Sequence, residues 1–312
     1  MPHFSQRDSE RRPSPRSAPA SGEFVAPSGA PRPRGSSAGP RDEPASTPPA
    51  AARPALPGSR SGPARHDELR ICGLAAVRAR FTRDPASIQR LFFDYATGRK
   101  IGVMCKALAT AKKIYRCVEP AELERVAGSV HHGGIVAVAT APVLRAPTAG
   151  EPAQWAKRGE ALLLLDRIGN AHNLGAIART AAFFGVKRIV LPAHAEAALP
   201  GDAAYRVAEG GLEAVEVFRV PQLAAFAREL AGAGYEVVGA ATRGGRPDAH
   251  ARAGATKPVA LALGNEEQGL APEIAAACTR LVTLPGSGRV ESLNVSVAAA
   301  VLMWELLARR AQ

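Results

Sequence analysis

The strongest constraint on the fold is a regular alternation of apolar runs and helical stretches in the C-terminal half of the chain. Helical stretches such as NLGAIARTAAFFG and PQLAAFARELAGAG separate several of the apolar runs. Most of the runs are continuously apolar, which is typical of strands covered on both faces. The pattern predicts an α/β fold with a mostly parallel sheet over residues 159–312. The predicted strands are ALLLLDRI, KRIVLP, VEVFRV, YEVVGA, PVALALG and RLVTLP.

The rest of the chain divides into three segments. Residues 1–66 hold 14 of the 26 prolines and few large apolar side chains, so we expect a disordered extension. Its arginines leave two interpretations open, a loose contact to RNA phosphates and a solubilising tail. Residues 67–141 alternate short strands (IQRLFFDYA, IYRCV, GIVAVAT) with helices (GRKIGVMCKALATAKK, PAELERVAG), which predicts a small α/β domain. Residues 142–158 contain Pro and Gly and are expected to be a linker.

Composition narrows the possible partners. The formal net charge of +12 favours a polyanion such as nucleic acid. The four cysteines form no CxxC pair, so the sequence predicts neither a metal site nor disulfides, and it fits a cytoplasmic protein. No apolar run reaches the roughly 18 to 20 residues of a membrane span. We therefore expect an RNA partner, no metal and no membrane.

One helix of the small domain is basic. A basic helix face is usually only solvated, but in a chain this basic it is also a plausible RNA-contact surface. The residues concerned are Arg99, Lys100, Lys106, Lys112 and Lys113.

Ligands of open α/β sheets bind beyond the carboxyl ends of the strands, so the loops there are candidate sites. The first such loop opens GNAHNLGAIART. His172, Gly175 and Arg179 lie at i, i+3 and i+7 and share one helix face, where Gly175 would leave space beside Arg179. Asn173 is either a site residue or simply the N-cap of this helix.

Two further loops are polar and rich in glycine. GNEEQGL follows PVALALG, and its flanking glycines could bend the backbone around a ligand or merely form a turn. GSGRVESLN follows RLVTLP and leads into SLNVS, where the polar side chains either cap the last helix or face a ligand. No GxGxxG or Walker sequence follows any strand, which argues against a dinucleotide or phosphate-loop enzyme.

Together these segments resemble the SpoU (TrmH) family of RNA ribose 2'-O-methyltransferases within the SPOUT superfamily. The matching stretches, in the family's order, are NLGAIARTAAFFGV, LALGNEEQGL and LPGSGRVESLNVSVAAAVLMWE. The segment from about 68 to 141 is similar to the substrate-binding domain of many relatives. The resemblance implies S-adenosylmethionine as cofactor, an RNA substrate, a homodimer and a C-terminal trefoil knot, although chains in general do not thread themselves.

Carried over by the resemblance, the catalytic residues fall on Arg179, Asn173 and Ser292. A guanidinium keeps its proton at neutral pH, so the first role expected for Arg179 is to stabilise the developing 2' oxyanion and orient the adjacent phosphate. Proton acceptance by Arg179 or by the RNA phosphate is the second. The residues implied in cofactor binding are Leu263, Gly264, Asn265, Glu266, Gly269, Leu284, Pro285, Val290, Leu293 and Asn294.

The sequence departs from the family pattern at two places. Ala171 stands where a proline is usual, and Ala208 stands where a hydroxyl is expected. The alternative to an enzyme is a non-catalytic RNA-binding or ribosome-assembly factor on the same scaffold. The enzyme is favoured by retention of five motif residues, Asn173, Arg179, Glu266, Ser292 and Asn294.

Overall fold

The computed structural model describes residues 68–245 and 257–307. The predictions for the N-terminal extension, residues 1–66, lie outside the described residues.

The small domain is a four-stranded sheet of order β1-β4-β2-β3, in which only β2 and β3 run parallel. Helices α1 and α3 cover one face, and α4 covers the other. Pro120 opens α4, where its missing amide proton costs no helical hydrogen bond. The strands are β1 Glu68–Cys72, β2 Ile88–Phe93, β3 Ile114–Cys117 and β4 Ile135–Thr140. The helices are α1 Leu74–Arg83, α2 Tyr95–Gly98, α3 Gly102–Thr110 and α4 Pro120–Ala127, with a 3-10 turn at Pro85–Ser87.

The large domain is a six-stranded, fully parallel sheet of order β10-β8-β9-β5-β6-β7. This confirms the predicted parallel α/β architecture. The strands are β5 Leu162–Leu165, β6 Arg188–Pro192, β7 Glu216–Val220, β8 Glu236–Ala240, β9 Val259–Leu263 and β10 Arg280–Val282. The helices are α6 Ala171–Phe183, α7 Asp202–Ala208, α8 Gly211–Ala214, α9 Leu223–Gly232, α10 Pro272–Ala277 and α11 Val295–Leu306.

The strand order reverses at β5. From β5 the chain moves outward to β6 and β7, and then returns so that β9 pairs with the other edge of β5. Because parallel strands share their carboxyl edge, the loops after β5 and β9 meet there. The strand order is compatible with the trefoil knot, and the threading itself stays a prediction.

The segment expected to be a linker is ordered and ends in a helix, α5 (Glu151–Lys157). Trp155 explains this, because its indole is 2% exposed and packs against Phe218 at 5.2 Å between ring centroids. The guanidinium of Arg188 lies 4.5 Å from the centroid of the Trp155 ring. Burying one aromatic residue thus attaches residues 151–157 to the large domain.

A buried ion pair joins the two domains. Arg80 on α1 contacts the Glu213 carboxylate at 2.8 Å, and both side chains are less than a tenth exposed. Burial raises the pKa of Glu213, and the Arg80 guanidinium offsets part of that effect. Arg80 also donates to the Tyr205 hydroxyl at 3.1 Å. Since removing one member would leave the other buried and unpaired, these contacts fix the small domain on α7 and α8.

Candidate active site

A cavity of about 890 Å³ opens at the carboxyl ends of β8, β9 and β10. Its volume lies within the range of small-molecule sites, roughly 300–1,000 Å³. Its walls are the loops after these three strands, together with the start of α11. The predicted site residues that line it are Leu263, Gly264, Asn265, Glu266, Gly269, Leu284, Pro285, Val290, Ser292 and Leu293.

The loop after β9 is held in a tight shape by its own groups. Asn265 and Gly269 exchange backbone hydrogen bonds at 3.0 and 2.9 Å, and Gly269 adopts a φ of 71°, which favours glycine. A Cβ on Gly264 would lie 2.1 Å from the carbonyl carbon of Gly269, so only glycine fits there. The Asn265 carboxamide oxygen accepts from the amides of Glu267 and Gln268. The Asn265 side chain therefore shapes the loop.

A chain of hydrogen bonds connects the three resembling motifs. Asn294 Nδ2 donates to Asn173 Oδ1 at 3.1 Å, and Asn173 Nδ2 donates to Glu266 Oε1 at 2.7 Å. Burial alone would raise the pKa of Glu266, but hydrogen bonds from Asn173 and from the amides of Gly169 and Asn170 outweigh it and lower that pKa. The ionised carboxylate thus ties the loop after β9 to the loop after β5 and the start of α6.

The two capping questions have different answers. Asn170 is the N-cap of α6, and its side chain accepts from the His172 amide at 2.8 Å. Asn173 lies in the first turn, so its interpretation as the N-cap is wrong. Asn294 is the N-cap of α11, since its Oδ1 accepts from the Ser296 amide at 2.9 Å. Asn294 therefore caps the helix with its oxygen and holds Asn173 with its nitrogen.

The structure does not bring Arg179 to the cavity. Its guanidinium is exposed and pairs with the Glu209 carboxylate at 3.0 Å. The space beside Gly175 is filled by protein, because a Cβ there would lie 2.4 Å from the Ala204 carbonyl oxygen of α7. Ser292, by contrast, lines the cavity and is exposed. Within one chain, Ser292 and Asn173 belong to the cavity and its rim, whereas Arg179 lies elsewhere.

Two residues that the sequence reasoning missed support the loops. Asp166 is 2% exposed, and its carboxylate accepts from the Ala271 amide at 2.8 Å and from Arg167 Nε at 3.0 Å. Arg167 also donates to the Gln268 carboxamide at 2.9 Å. An acidic residue directly after the run LLLL was a usable signal, because a buried carboxylate needs partners. The last residue of β8, Ala240, and the loop residues Ala241 to Arg243 also line the cavity and were missed.

The cavity suits a ligand with both apolar and polar parts. Leu263, Leu284 and Leu293 give it apolar surface, while glycine-rich loops expose backbone amides and carbonyls. These features fit the adenine, the ribose and the amino-acid moiety of S-adenosylmethionine. Among the described residues, no group of three or more His, Cys, Asp or Glu side chains could hold a metal ion. No described helix is long and apolar enough to span a membrane.

The fold and site define an α/β enzyme with a small-ligand cavity at a reversal of strand order, preceded by a small domain. Residues 160–304 match the model of the SpoU rRNA Methylase family, and residues 70–143 match that of RNA 2'-O ribose methyltransferase substrate binding. Together the two matches span nearly all of the described residues.

Similar proteins agree with the family models. The 23S rRNA (guanosine-2'-O-)-methyltransferase RlmB of Nitrosomonas europaea is 33% identical, over 78% of this chain and 92% of its own length. The protein of the same name from Ralstonia nicotianae is 34% identical, over 77% and 95%. An S-adenosylmethionine-bound rRNA methyltransferase from Sinorhizobium meliloti shares the fold, with a TM-score of 0.64, 24% identity and coverage of 78% and 88%. The chain belongs to the SpoU family of RNA 2'-O-ribose methyltransferases, which confirms the resemblance read from its motifs.

The hydrogen-bond chain makes a prediction for ligand binding. Replacing Glu266 with Ala removes the acceptor for Asn173 and frees the loop after β9, so we expect the dissociation constant for S-adenosylmethionine to rise about tenfold. Isothermal titration calorimetry measures it. Glu229→Ala, at an exposed position on α9 that does not line the cavity, should change the constant by less than about threefold. If the two substitutions raise the dissociation constant equally, the hydrogen-bond chain does not support the cofactor site.

Proposed function

We propose that this protein transfers a methyl group from S-adenosylmethionine to the ribose 2'-hydroxyl of a guanosine in 23S rRNA. The observation that carries the proposal is the hydrogen-bond chain through Asn294, Asn173 and Glu266, which joins three motif loops at one cavity. The choice of guanosine in 23S rRNA rests on the names of the two bacterial relatives. An RNA substrate of this kind also implies a cytoplasmic enzyme.

Different residues of the chain bind the cofactor, orient the ribose and stabilise the developing charge. The loops after β8, β9 and β10 hold the cofactor, which supplies a methyl group on a positively charged sulfur when bound. Ser292 lies in the cavity wall and is placed to orient the ribose. Arg179 stabilises the negative charge that develops on the 2' oxygen and holds the neighbouring phosphate. Asn173 and Glu266 keep the loops in position.

Retention of the motif side chains favours catalysis over a scaffold role. A non-catalytic RNA-binding factor would not need the hydrogen bonds from Asn294 to Asn173 and Glu266, because these bonds shape a cavity for a small ligand. The presence of both a formed cavity and an exposed Arg179 therefore supports a catalytic function over a scaffold role.

Arg179 does not line the cavity of its own chain, and α11 offers a surface for a second copy of the protein. Val297, Val301 and Trp304 lie at i, i+4 and i+7 on this helix and are 49%, 39% and 42% exposed. Phe183 at the end of α6 is 83% exposed and contacts Phe184, which contacts Trp304. An apolar patch of this kind marks a protein interface. We infer that a second copy covers it and that each copy's Arg179 completes the other's site.

Trp304→Asp should therefore give a monomer, because it places a charge in the centre of the proposed interface. Analytical ultracentrifugation should show the mass halved, and methyl transfer should fall by about 100-fold or more because Arg179 is withheld. Val143→Asp replaces a valine that is 93% exposed in the segment between the domains and serves as the control. A dimeric Trp304→Asp variant, or an active monomer, would contradict the shared site.

The small domain presents the RNA surface. Arg99, Lys100, Lys106 and Lys112 are exposed around α3. Lys113 differs from the other four, because its ammonium group donates to the carbonyls of Pro85 and Ala86. Four of the five basic residues singled out in the sequence are thus available to phosphates, and the fifth holds a turn.

Lys106→Glu should weaken RNA binding and lower the slope of log K against log salt by about one, because one phosphate contact is lost. Filter binding across a salt series measures both quantities. Lys157→Glu, an equally exposed lysine on α5, carries the same change in net charge and should leave the slope unchanged. Equal slopes for the two variants would place the RNA surface elsewhere.

Arg179→Ala should reduce the rate of methyl transfer by about 100-fold or more, since it removes the group that stabilises the 2' oxygen. Its affinity for S-adenosylmethionine should stay within about twofold, because the proposed contacts of Arg179 are to the 2' oxygen and phosphate of the RNA and not to the cofactor. Transfer of labelled methyl to 23S rRNA and calorimetry measure the two effects. The control is Arg228→Ala, an exposed arginine on α9. Full activity of the Arg179→Ala variant would exclude this role.

A further inference from the structure

Arg179 has one charged neighbour that the family resemblance does not explain. The Glu209 carboxylate lies 3.0 Å from its guanidinium, and both side chains are 57% exposed. An ion pair this exposed contributes little to stability, typically less than about 1 kcal/mol. The contact therefore needs an explanation other than stability.

The backbone of Glu209 is also unusual. It adopts φ 45° and ψ 43° at the C-cap of α7, in the left-handed region that favours glycine. Within the described ranges, only Lys112, Arg167 and Glu209 have positive φ without being glycine. Gly210 follows directly, so the turn retains a glutamate at a position where a second glycine would fit the backbone better. Strain of this kind is characteristic of functional positions.

Close backbone packing holds Glu209 in a fixed position relative to Arg179. A Cβ on Gly211 would lie 2.7 Å from the Arg179 Cα, and a Cβ on Gly175 would lie 2.4 Å from the Ala204 carbonyl oxygen. The corner between α7 and α8 thus lies directly on α6. The backbone of Glu209 is fixed by this corner, and its side chain is shorter than that of arginine, so the carboxylate samples fewer positions than a free guanidinium.

We propose that Glu209 is a positioning residue for methyl transfer, whose carboxylate fixes the Arg179 guanidinium in the orientation that the ribose 2' oxygen requires. The proposal rests on the proposed function of Arg179. A pre-oriented guanidinium loses less conformational freedom when the transition state forms, so Glu209 acts on kcat. Since the amide oxygen of a glutamine can still accept from Arg179, charge alone is not the requirement.

The test compares Glu209→Gly with Glu209→Gln in the full-length protein. Glu209→Gly relieves the backbone strain and removes the carboxylate, so the melting temperature should rise by about 1–3 °C while kcat falls roughly tenfold or more. Glu209→Gln should keep kcat within about threefold of the wild type, because the hydrogen bond is retained. The KM for S-adenosylmethionine should be unchanged in both variants.

Glu216→Ala is the matched control, because Glu216 forms a similarly exposed pair with Arg145 at 3.0 Å. Wild-type kcat in the Glu209→Gly variant would overturn the proposal. If Glu209→Gln loses as much activity as Glu209→Gly, the negative charge of the carboxylate is required, and positioning of Arg179 by a hydrogen bond is wrong. A wild-type protein that transfers no methyl group would instead refute the proposed function, so the two failures are distinguishable.

Discussion

The site depends on the parallel pairing of β5 with β9. These strands are about 100 residues apart in sequence, yet the Asp166 amide donates to the Leu263 carbonyl at 2.8 Å directly after the ladder. This pairing places the loop that begins α6 beside the glycine-rich loop after β9. Only then can Asn173 reach Glu266, and only then can the buried Asp166 carboxylate accept from the Ala271 amide. The cavity therefore forms because β9 is inserted between β8 and β5.

Close backbone contact also positions α7 and α8 against α6. Gly175 and Gly211 let α7 and α8 lie on the helix at distances that no side chain would permit. The same corner carries Glu213, which holds Arg80 of the small domain, and Glu209, which holds Arg179. The domain that matches the substrate-binding family model and the arginine assigned to catalysis are therefore fixed to a single structural unit. If the small domain binds RNA as proposed, this coupling would give the RNA a defined position relative to Arg179.

The separation of Arg179 from the cavity in one chain agrees with the exposed apolar stripe on α11. The family resemblance implies a homodimer, and within a single chain the outer face of α11 is uncovered at Val297, Val301 and Trp304. Cofactor binding and charge stabilisation would then come from different copies of the protein. Such an arrangement makes activity depend on assembly, while each copy retains a complete cofactor cavity.

The sequence by itself determined all the strands except β1, several of the helices and the residues of the motifs, because hydrophobic periodicity and glycine placement are local properties of the chain. It did not predict β1, α1, α7 or α8. It also indicated the family and hence the chemistry. It did not determine that Asn170 caps α6, that the space beside Gly175 is filled by α7, or that residues 151–157 form a helix around Trp155. Nor did it distinguish Lys113 from its basic neighbours. These points depend on contacts between residues distant in the chain, so only the tertiary structure decided which polar groups are already satisfied and which remain free to act.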